Sequence, residues 1–334
     1  MSSKGITLSH HILEQVRKHP GMDEDLVPLL TQIGFVGKIL AREIRRAALI
    51  GLLGLTGEKN VQGEATKKLD VFGHETTVEA LGETGVVAAV ISEEADELVQ
   101  LAQGKNARYV VCIDPLDGSS NTDINGPVGT IFGIQRRENT SQPLTPTDYL
   151  LPGSKQVASG YIMYGPSTAL VYTAGHGVFG FTLDHDIGEF LLSHDDIHMP
   201  QRGHYYAGNL GHYYEWDTNI QKFIEYLTQH DTATHRPYSL RYVGALVADL
   251  HRTLLEGGIY IYPPDGEKKE GKLRLLYEGA PLGFVVEQAG GKASTGIERI
   301  LDIQPYHIHQ RVPLIIGTSE EVTLYEKFLK DGRA

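Results

Sequence analysis

The first 55 residues carry apolar side chains at helical spacing. The longest such series is Leu29, Ile33, Val36, Leu40, Ile44 and Ala47. Its steps of three and four residues match one face of an α-helix, and Pro28 suits the first turn of that helix. A shorter stripe at 12–16 predicts a preceding helix with Ser9 as its N-cap.

The pattern then changes from helical to strand-like. Residues 56–69 are polar, contain two glycines and show no period, so we predict a loop that ends at Asp70. Short apolar and alternating runs predict strands, largely antiparallel, at 86–92, 109–114, 129–135, 158–165, 169–175 and 177–183.

Helices and strands alternate beyond about residue 197. The apolar spacing predicts helices at 217–229, 243–255 and 277–289, strands at 259–263 and 314–317, and a final C-terminal helix. We therefore predict a mixed α/β chain with two subdomains, 1–197 and 198–334.

Composition and charge restrict the partners of the chain. With 30 Lys and Arg against 42 Asp and Glu, the formal charge of −12 disfavours nucleic acid and anionic lipid as partners. The longest apolar run, 47–55, is too short for a transmembrane helix. The single cysteine, Cys112, excludes an internal disulfide. We expect a cytoplasmic protein with no membrane span and no nucleic-acid partner.

The octet 114–121, DPLDGSSN, is the strongest local motif. Pro115 favours an extended Asp114, and Gly118 permits a reversal of the chain, so Asp114 and Asp117 are expected on one turn at the end of a strand. Carboxylates in this position suit Mg²⁺, and the backbone N–H groups of Gly118, Ser119 and Ser120 could surround an anion. An ordinary Asp-Gly turn is the alternative for the dipeptide alone.

Other charged groups could join this site. Glu93 and Glu94 follow an apolar strand, although a Glu pair on a loop is often only solvated. Asp70 ends the polar loop, where a surface charge cluster is the alternative.

A further charged series lies downstream, at Lys272, Arg274 and Glu278. Its cations could neutralise a phosphate, and Glu278 could add an anionic ligand. The same pattern also suits the start of an ordinary amphipathic helix.

Taken together, DPLDGSSN, the upstream SEE and KKLD, and the downstream KLRLLYE resemble the class I fructose-1,6-bisphosphatases, in the lithium-sensitive metal-dependent phosphatase superfamily. The resemblance extends over nearly the whole chain. It implies a layered α-β-α-β-α fold in two subdomains, with an allosteric nucleotide site in the first and much of the sugar site in the second.

The resemblance also implies roles for individual residues. The metal ligands would be Glu93, Glu94, Asp114, Asp117, Glu278 and the backbone carbonyl of Leu116. Asp70 and Glu94 would activate the attacking water; Asp117, Gly118, Ser119 and Ser120 would contact the substrate; and Arg274 would lie near the 1-phosphate. The sugar and its 6-phosphate would be bound by Asn209, Tyr213, Tyr242, Tyr262, Lys272 and, from a neighbouring subunit, Arg241.

The implied activity is hydrolysis of the 1-phosphate of fructose 1,6-bisphosphate, in gluconeogenesis or the reductive pentose phosphate cycle. The resemblance implies two or three Mg²⁺ per subunit, with Mn²⁺ or Zn²⁺ as substitutes, and a homotetramer. A sedoheptulose-1,7-bisphosphatase or a dual-specificity enzyme is an alternative. A non-catalytic sugar-phosphate sensor is a third, although every carboxylate of the metal set is present.

One departure from the family pattern concerns regulation. The nucleotide-binding stretch of the family reads roughly Gly-Thr-Gly-Glu, whereas this chain has Gly21, Met22, Asp23 and Glu24. Met22 lacks a hydroxyl, and Asp23 adds a negative charge where a phosphate would lie. We therefore predict weak inhibition by adenosine monophosphate.

Overall fold

A computed structural model describes residues 5–59, 65–101, 107–266 and 268–333. Its helices are α1 (Leu8–Lys18), α2 (Leu26–Ile50), α3 (Lys68–Gly82), α4 (Pro146–Tyr149), α5 (Thr218–Thr228), α6 (Leu246–Glu256), α7 (Ala280–Gln288) and α8 (Ser319–Asp331). The first N-cap is Thr7 rather than the predicted Ser9, because the Thr7 hydroxyl accepts the His10 N–H at 3.3 Å.

The strands of the N-terminal part are β1 (Leu55–Lys59), β2 (Ala65–Lys67), β3 (Val87–Ser92), β4 (Val99–Gln100), β5 (Tyr109–Asp117), β6 (Val128–Arg136), β7 (Gln156–Tyr164), β8 (Thr168–Thr173), β9 (Val178–Asp184) and β10 (Glu189–His194). Those that follow are β11 (Tyr205–Ala207), β12 (Ser239–Leu240), β13 (Ile259–Tyr262), β14 (Leu273–Arg274), β15 (Lys292–Ser294), β16 (Arg311–Val312) and β17 (Leu314–Gly317).

Two larger sheets carry the fold. One has eight strands in the order β10-β9-β8-β7-β6-β5-β3-β4, antiparallel except where β3 runs parallel to β5. The other has five strands in the order β12-β11-β13-β17-β15. The predicted strands and helices are therefore confirmed at these positions, with boundaries that move by a few residues.

The prediction of a featureless loop at 56–69 is wrong in part. Strands β1 and β2 pair antiparallel, with Leu55 opposite Lys67 and Lys59 opposite Ala65. This pair forms a separate two-stranded sheet, and its polar sequence has no apolar alternation to reveal it. Residues 60–64 of the predicted loop lie outside the described part of the chain.

The layers follow from the buried clusters. Helices α1, α2 and α3 pack their apolar faces on the eight-stranded sheet. Helices α6 and α7 lie between the two sheets. Helices α5 and α8 cover the outer face of the five-stranded sheet. This order, α-β-α-β-α, confirms the predicted fold class. No helix in the described ranges is long and apolar enough to span a bilayer.

Candidate active site

A bulge at the end of strand β5 brings two carboxylates together. Asp114 pairs with Ile131 and Asp117 with Gly129, so three steps along β5 oppose two along β6. In a regular strand an odd spacing would direct these side chains to opposite faces. The extra residue of the bulge removes that alternation, and Pro115, which has no N–H for the ladder, lies within it.

Glu278 completes a buried cluster with these two residues. Oxygen atoms of Asp114, Asp117 and Glu278 all lie within 4.8 Å of one another. Glu278 lies on a π-helical turn, Leu275–Gly279, between β14 and α7. We predicted an ordinary helix from residue 277, but this turn forms its hydrogen bonds between residues five apart instead of four. Such turns are frequent at functional sites. The backbone N–H of Arg274 donates to the Glu278 carboxylate.

Burial and like charge raise the pKa of every member of the cluster. Loss of water is the largest cause for each, followed by the negative charge of Glu93 for Asp114 and Glu278. The pKa of Asp117 rises to about 7, although N–H groups at the start of α6 oppose the shift, and that of Glu278 rises to about 8. The pKa of Asp114 lies well above its ordinary value. Crowded, buried carboxyl oxygens of this kind fit a hard divalent cation.

The parallel pairing of β3 with β5 places Glu93 beside the cluster. The Glu93 N–H donates to the carbonyl of Ile113 at 3.2 Å, and its side chain shares a hydrogen bond with Asp114. The Glu94 N–H donates to Ser92 Oγ at 3.3 Å. The alternative of a solvated Glu pair does not describe this arrangement, since both side chains line the same cavity as Asp114.

The turn after Asp117 reverses through a left-handed residue. Gly118 has φ of 71°, and a Cβ there would lie 2.6 Å from the Cβ of Ala245, so only glycine fits. Ser119 then opens a 3₁₀ helix. Its hydroxyl donates to Asp70 Oδ2 at 3.3 Å, and the N–H of Lys67 donates to the same oxygen at 2.9 Å. Asp70 is thus hydrogen-bonded to the segment 114–120, which we call the metal turn because it carries the predicted ligands Asp114 and Asp117, and it does not belong to a surface charge cluster.

One cavity of about 280 Å³ collects most of the predicted site. Its predicted lining residues are Asp70, Glu93, Glu94, Asp114, Leu116, Asp117, Gly118, Ser119, Ser120, Tyr242, Tyr262, Lys272, Arg274 and Glu278. Sequence reasoning did not identify four others, Gly244, Leu246, Tyr260 and Leu273. The glycine and the two leucines have no reactive or charged group that would mark them as site residues. Tyr260 could have been identified, because it lies two residues before Tyr262 on the same strand and therefore on the same face.

Two cations reach this acidic cavity. Arg274 is only 3% exposed, and its Nη1 donates to the carbonyl of Lys272. Its Nε and Nη2 are buried and have no hydrogen-bond partner within the described ranges. Lys272 is less buried and lies with Nζ 6.0 Å from the centre of the Tyr262 ring. Unpaired N–H groups on a buried guanidinium are suited to an oxyanion.

Three predicted residues lie outside that lining. Asn209 caps a 3₁₀ helix and lines a small neighbouring pocket with Tyr262 and His212. The Tyr213 hydroxyl donates to Oε1 of Glu225 in helix α5, at 3.1 Å. His212, which the sequence reasoning passed over, is the member of the segment that shares the pocket with Asn209. Arg241 is exposed, with its guanidinium 5.5 Å from the Tyr205 ring.

The region of the predicted nucleotide site holds an internal ion pair. Asp23 Oδ2 lies 3.2 Å from Arg108 Nη1 and 3.5 Å from Arg136 Nη2. Burial by itself would raise the pKa of Asp23, but the N–H of Asp25 and the two guanidinium groups hold it below its ordinary value. Met22 is buried. The Asp23 carboxylate therefore forms ion pairs with both arginines.

Comparison with known proteins agrees with this architecture. A fructose-1,6-bisphosphatase class 1 from Chlorobium chlorochromatii is 50% identical over 98% of this chain and 99% of its own length. A class 1 relative from Acaryochloris marina is 53% identical over 98% of both chains. The crystal structure of the Leishmania major fructose-1,6-bisphosphatase in holo form matches with a TM-score of 0.91 at 40% identity, over 97% of this chain and 98% of that one.

Two family models together match nearly the whole length. The model of the fructose-1-6-bisphosphatase N-terminal domain matches residues 6–195, and the model of the C-terminal domain matches residues 199–330. With the buried carboxylates at the end of β5 and the layered fold around them, these matches show that the chain belongs to the fructose-1,6-bisphosphatase family.

Proposed function

We propose that this protein hydrolyses the 1-phosphate of fructose 1,6-bisphosphate to give fructose 6-phosphate and inorganic phosphate. The observation that carries the proposal is the cluster of Asp114, Asp117 and Glu278 in one cavity with the cations Lys272 and Arg274. Oxygen ligands for a divalent cation and cationic donors for phosphate occur together there. The family membership adds the substrate class, a sugar bisphosphate.

The family is metal-dependent, and the donors of this chain fit that requirement. We assign metal binding to Glu93, Glu94, Asp114, Asp117, Glu278 and the carbonyl of Leu116. A set made only of oxygen atoms favours Mg²⁺, in two or three positions, with Mn²⁺ or Zn²⁺ as substitutes. When bound, such ions supply Lewis-acid polarisation of the phosphoryl oxygens.

The remaining groups of the cavity act on the water and the phosphoryl group. Asp70, held by Lys67 N–H and Ser119, orients the attacking water together with Glu94, and one of these two carboxylates accepts its proton. Ser119, Ser120 and the N–H of Gly118 bind the transferred phosphoryl oxygens. Arg274 donates its unpaired N–H groups to the charge that grows on those oxygens during in-line transfer.

The other end of the substrate extends toward the second subdomain, 198–334. Tyr242, Tyr262 and Lys272 line that part of the cavity, and Asn209 lies beyond Tyr262. We assign the sugar and its 6-phosphate to these residues, with Tyr213 in the same segment as Asn209. Arg241 is exposed within its own subunit, which agrees with a role at the site of a neighbour in a homotetramer. The molar mass in solution tests the assembly.

The relative kcat/KM for fructose 1,6-bisphosphate and sedoheptulose 1,7-bisphosphate tests the substrate. One additional hydroxymethylene unit in a closed sugar site changes kcat/KM by about 10- to 200-fold, so we expect at least tenfold preference for the fructose compound. A reversed ratio would assign the heptulose. Equal values would indicate a dual-specificity enzyme, and no phosphate release from either compound would indicate a sensor.

Magnesium affinity is expected to rise with pH. The pKa values of about 7 for Asp117 and about 8 for Glu278 mean that the metal-free fold keeps protons that the unfolded chain has already lost. The free energy of unfolding of the metal-free protein therefore falls as the pH rises from the ordinary carboxyl pKa values of about 4 to these raised values. Over that interval the unfolded chain has lost the protons that the folded chain still binds. Since the cation must displace those protons, we expect about a tenfold or greater gain in affinity between pH 6 and pH 8.

Isothermal titration with Mg²⁺ at several pH values, in buffers of different ionisation enthalpy, measures both the affinity and the protons released. An affinity independent of pH, with no proton release at pH 7, would contradict the proposed protonation of the cluster.

We also infer a weakened nucleotide site in the first subdomain, 1–197. Asp23 neutralises Arg108 and Arg136, the cations that an effector phosphate would need. Asp23→Asn should remove the paired carboxylate from Arg136 and leave Arg108 with Asp25, and it should tighten adenosine monophosphate binding by about tenfold or more, the effect of about 1.4 kcal/mol. The matched control is Asp25→Asn, because Asp25 lies 3.3 Å from Arg108 and pairs with no other cation among the described residues.

Inhibition of the wild-type and variant enzymes by adenosine monophosphate at fixed Mg²⁺ gives the comparison. Cooperative inhibition of the wild type at low micromolar concentration would contradict this reading of Asp23. So would an Asp23→Asn variant whose inhibition is no stronger than that of the Asp25→Asn control.

We propose the cytoplasm as the location of the protein. The single cysteine, Cys112, is buried in strand β5, which suits a protein that makes no use of an oxidising compartment.

A further inference from the structure

The segment 241–244 joins the two halves of the proposed site and is exposed along its whole length. It carries Tyr242, which lines the cavity. At its start, the Arg241 N–H donates to the carbonyl of Tyr206 at 2.9 Å. An exposed segment has little apolar packing to fix it, so its geometry depends on what holds its backbone at the other end.

That other end is held by a buried carboxylate of helix α6. Asp249 is 3% exposed; its Oδ1 accepts the Val243 N–H at 2.8 Å, and its Oδ2 accepts the Gly244 N–H at 3.1 Å. Both carboxylate oxygens are thus used on consecutive backbone donors. Hydrogen bonds to a charged, buried acceptor are stronger than those between neutral groups.

Gly244 is the point where this contact reaches the cavity. Its φ of +81° reverses the chain, and a Cβ there would lie 3.9 Å from the Tyr242 ring. The ring therefore folds back over the backbone that Asp249 holds. Two residues further along, Leu246 begins helix α6 and also lines the cavity.

The same helix start is attached to the proposed metal turn. Asp117 Oδ2 accepts the Val247 N–H at 2.8 Å, and Gly118 packs directly against Ala245. Two buried carboxylates, Asp117 of the metal turn and Asp249 of α6, therefore accept hydrogen bonds from the backbone of residues 243–247. The backbone of this segment connects the metal cluster to Tyr242.

We infer that Asp249 is a positioning residue for substrate, holding the segment 241–244 so that Tyr242 faces the sugar end of the cavity in register with the metal turn. Asp249 does not itself line the cavity, and it acts through the backbone of Val243 and Gly244. This inference rests on the proposed function for its substrate, whereas its structural part, the fixed segment, does not.

Asp249→Asn tests the inference with almost no change of shape. The amide oxygen can still accept from Val243, but its NH₂ group cannot accept from Gly244. We expect KM for fructose 1,6-bisphosphate to rise about tenfold with kcat changed by less than about threefold, since losing a hydrogen bond to a charged group has an effect of that order. Hydrogen exchange at the Val243 and Gly244 amides should become at least about tenfold faster.

Glu321→Gln is the matched control. Glu321 is 4% exposed in the first turn of α8, and its Oε1 accepts the Gly203 N–H at 3.2 Å and the Tyr238 hydroxyl at 3.1 Å. It resembles Asp249 in burial and helix position, but the residues that it holds, Gly203 and Tyr238, do not line the cavity, whereas Gly244 does. Because both contacts fall on Oε1, the amide oxygen can keep them, so this variant removes a buried negative charge and should leave KM unchanged.

Three results would overturn the inference: a KM of Asp249→Asn within about twofold of wild type, unchanged exchange at 243–244, or an equal rise of KM in Glu321→Gln. If the wild type releases no phosphate from the sugar bisphosphate, the proposed function fails instead, and the exchange comparison still decides whether Asp249 fixes the segment.

Discussion

Asp117→Asn is expected to lower kcat by about 10³-fold or more, because a metal centre contributes several kcal/mol to stabilising the transferred charge and each 1.36 kcal/mol is a factor of ten. The same change should raise the stability of the metal-free protein by about 1–2 kcal/mol. Ionisation of Asp117 among other buried carboxylates is costly, and its pKa of about 7 reflects that cost. An amide removes the charge and can keep the bond from Val247 N–H through its oxygen.

Thermal unfolding with and without Mg²⁺ separates the two effects. The wild type should gain stability when Mg²⁺ is added, whereas Asp117→Asn should start from a higher melting temperature and gain little. Glu321→Gln serves as a buried carboxylate variant outside the cavity, and it should keep the Mg²⁺ response. Activity of Asp117→Asn above a tenth of wild type, or an undiminished Mg²⁺ shift, would contradict the assignment of Asp117 as a ligand.

Arg274→Lys is expected to lower kcat by about 10²–10³-fold, the effect of removing one preorganised charge-stabilising donor. Lysine keeps the positive charge, but it lacks the planar fork that can contact two phosphoryl oxygens at once. Arg274 has buried Nε and Nη2 groups without partners among the described residues, so those donors are available to the substrate. The contact of residue 274 with the Glu278 carboxylate comes from its backbone N–H, which the substitution leaves in place, so the fold should survive.

Lys272→Arg is the control for charge in the same cavity. Lys272 is more exposed and lies over the Tyr262 ring, where we assign the other end of the substrate. Its exchange for arginine should change KM more than kcat. The steady-state constants of both variants with fructose 1,6-bisphosphate give the comparison. An Arg274→Lys enzyme with near wild-type kcat and a raised KM would show that Arg274 only binds the ground state.

The octet DPLDGSSN shows which parts of the site a sequence motif can predict and which parts it cannot. The apolar run before it and the residues Pro115 and Gly118 predict a strand that ends at residue 114 and a turn with two carboxylates. The strand instead continues to Asp117 and carries both carboxylates, and the turn begins at Gly118. The bulge that brings Asp114 and Asp117 to one side was not predictable, because it depends on the pairing of β5 with Ile131 and Gly129 of β6. A single strand carries no signal about the register of its partner.

The roles of residues that act through tertiary contacts could not be predicted from the sequence, because those contacts form only in the folded chain. Asp249 reads as one polar position in an amphipathic helix, and only the folded chain brings it to Val243 and Gly244. Glu278 was predicted as a ligand, but the π-helical turn that presents it lies inside an apparently regular helical pattern. The charge of Asp23 was recognised from sequence, whereas its contacts with Arg108 and Arg136 required the packing of distant segments.

The most direct test of the central claim is phosphate release from fructose 1,6-bisphosphate by metal-free protein, before and after addition of Mg²⁺, with the product identified by phosphorus NMR. We expect negligible release without metal and, with Mg²⁺, one equivalent of inorganic phosphate together with fructose 6-phosphate. Release that is unaffected by chelation of the metal, or a product that retains the 1-phosphate, would contradict the claim.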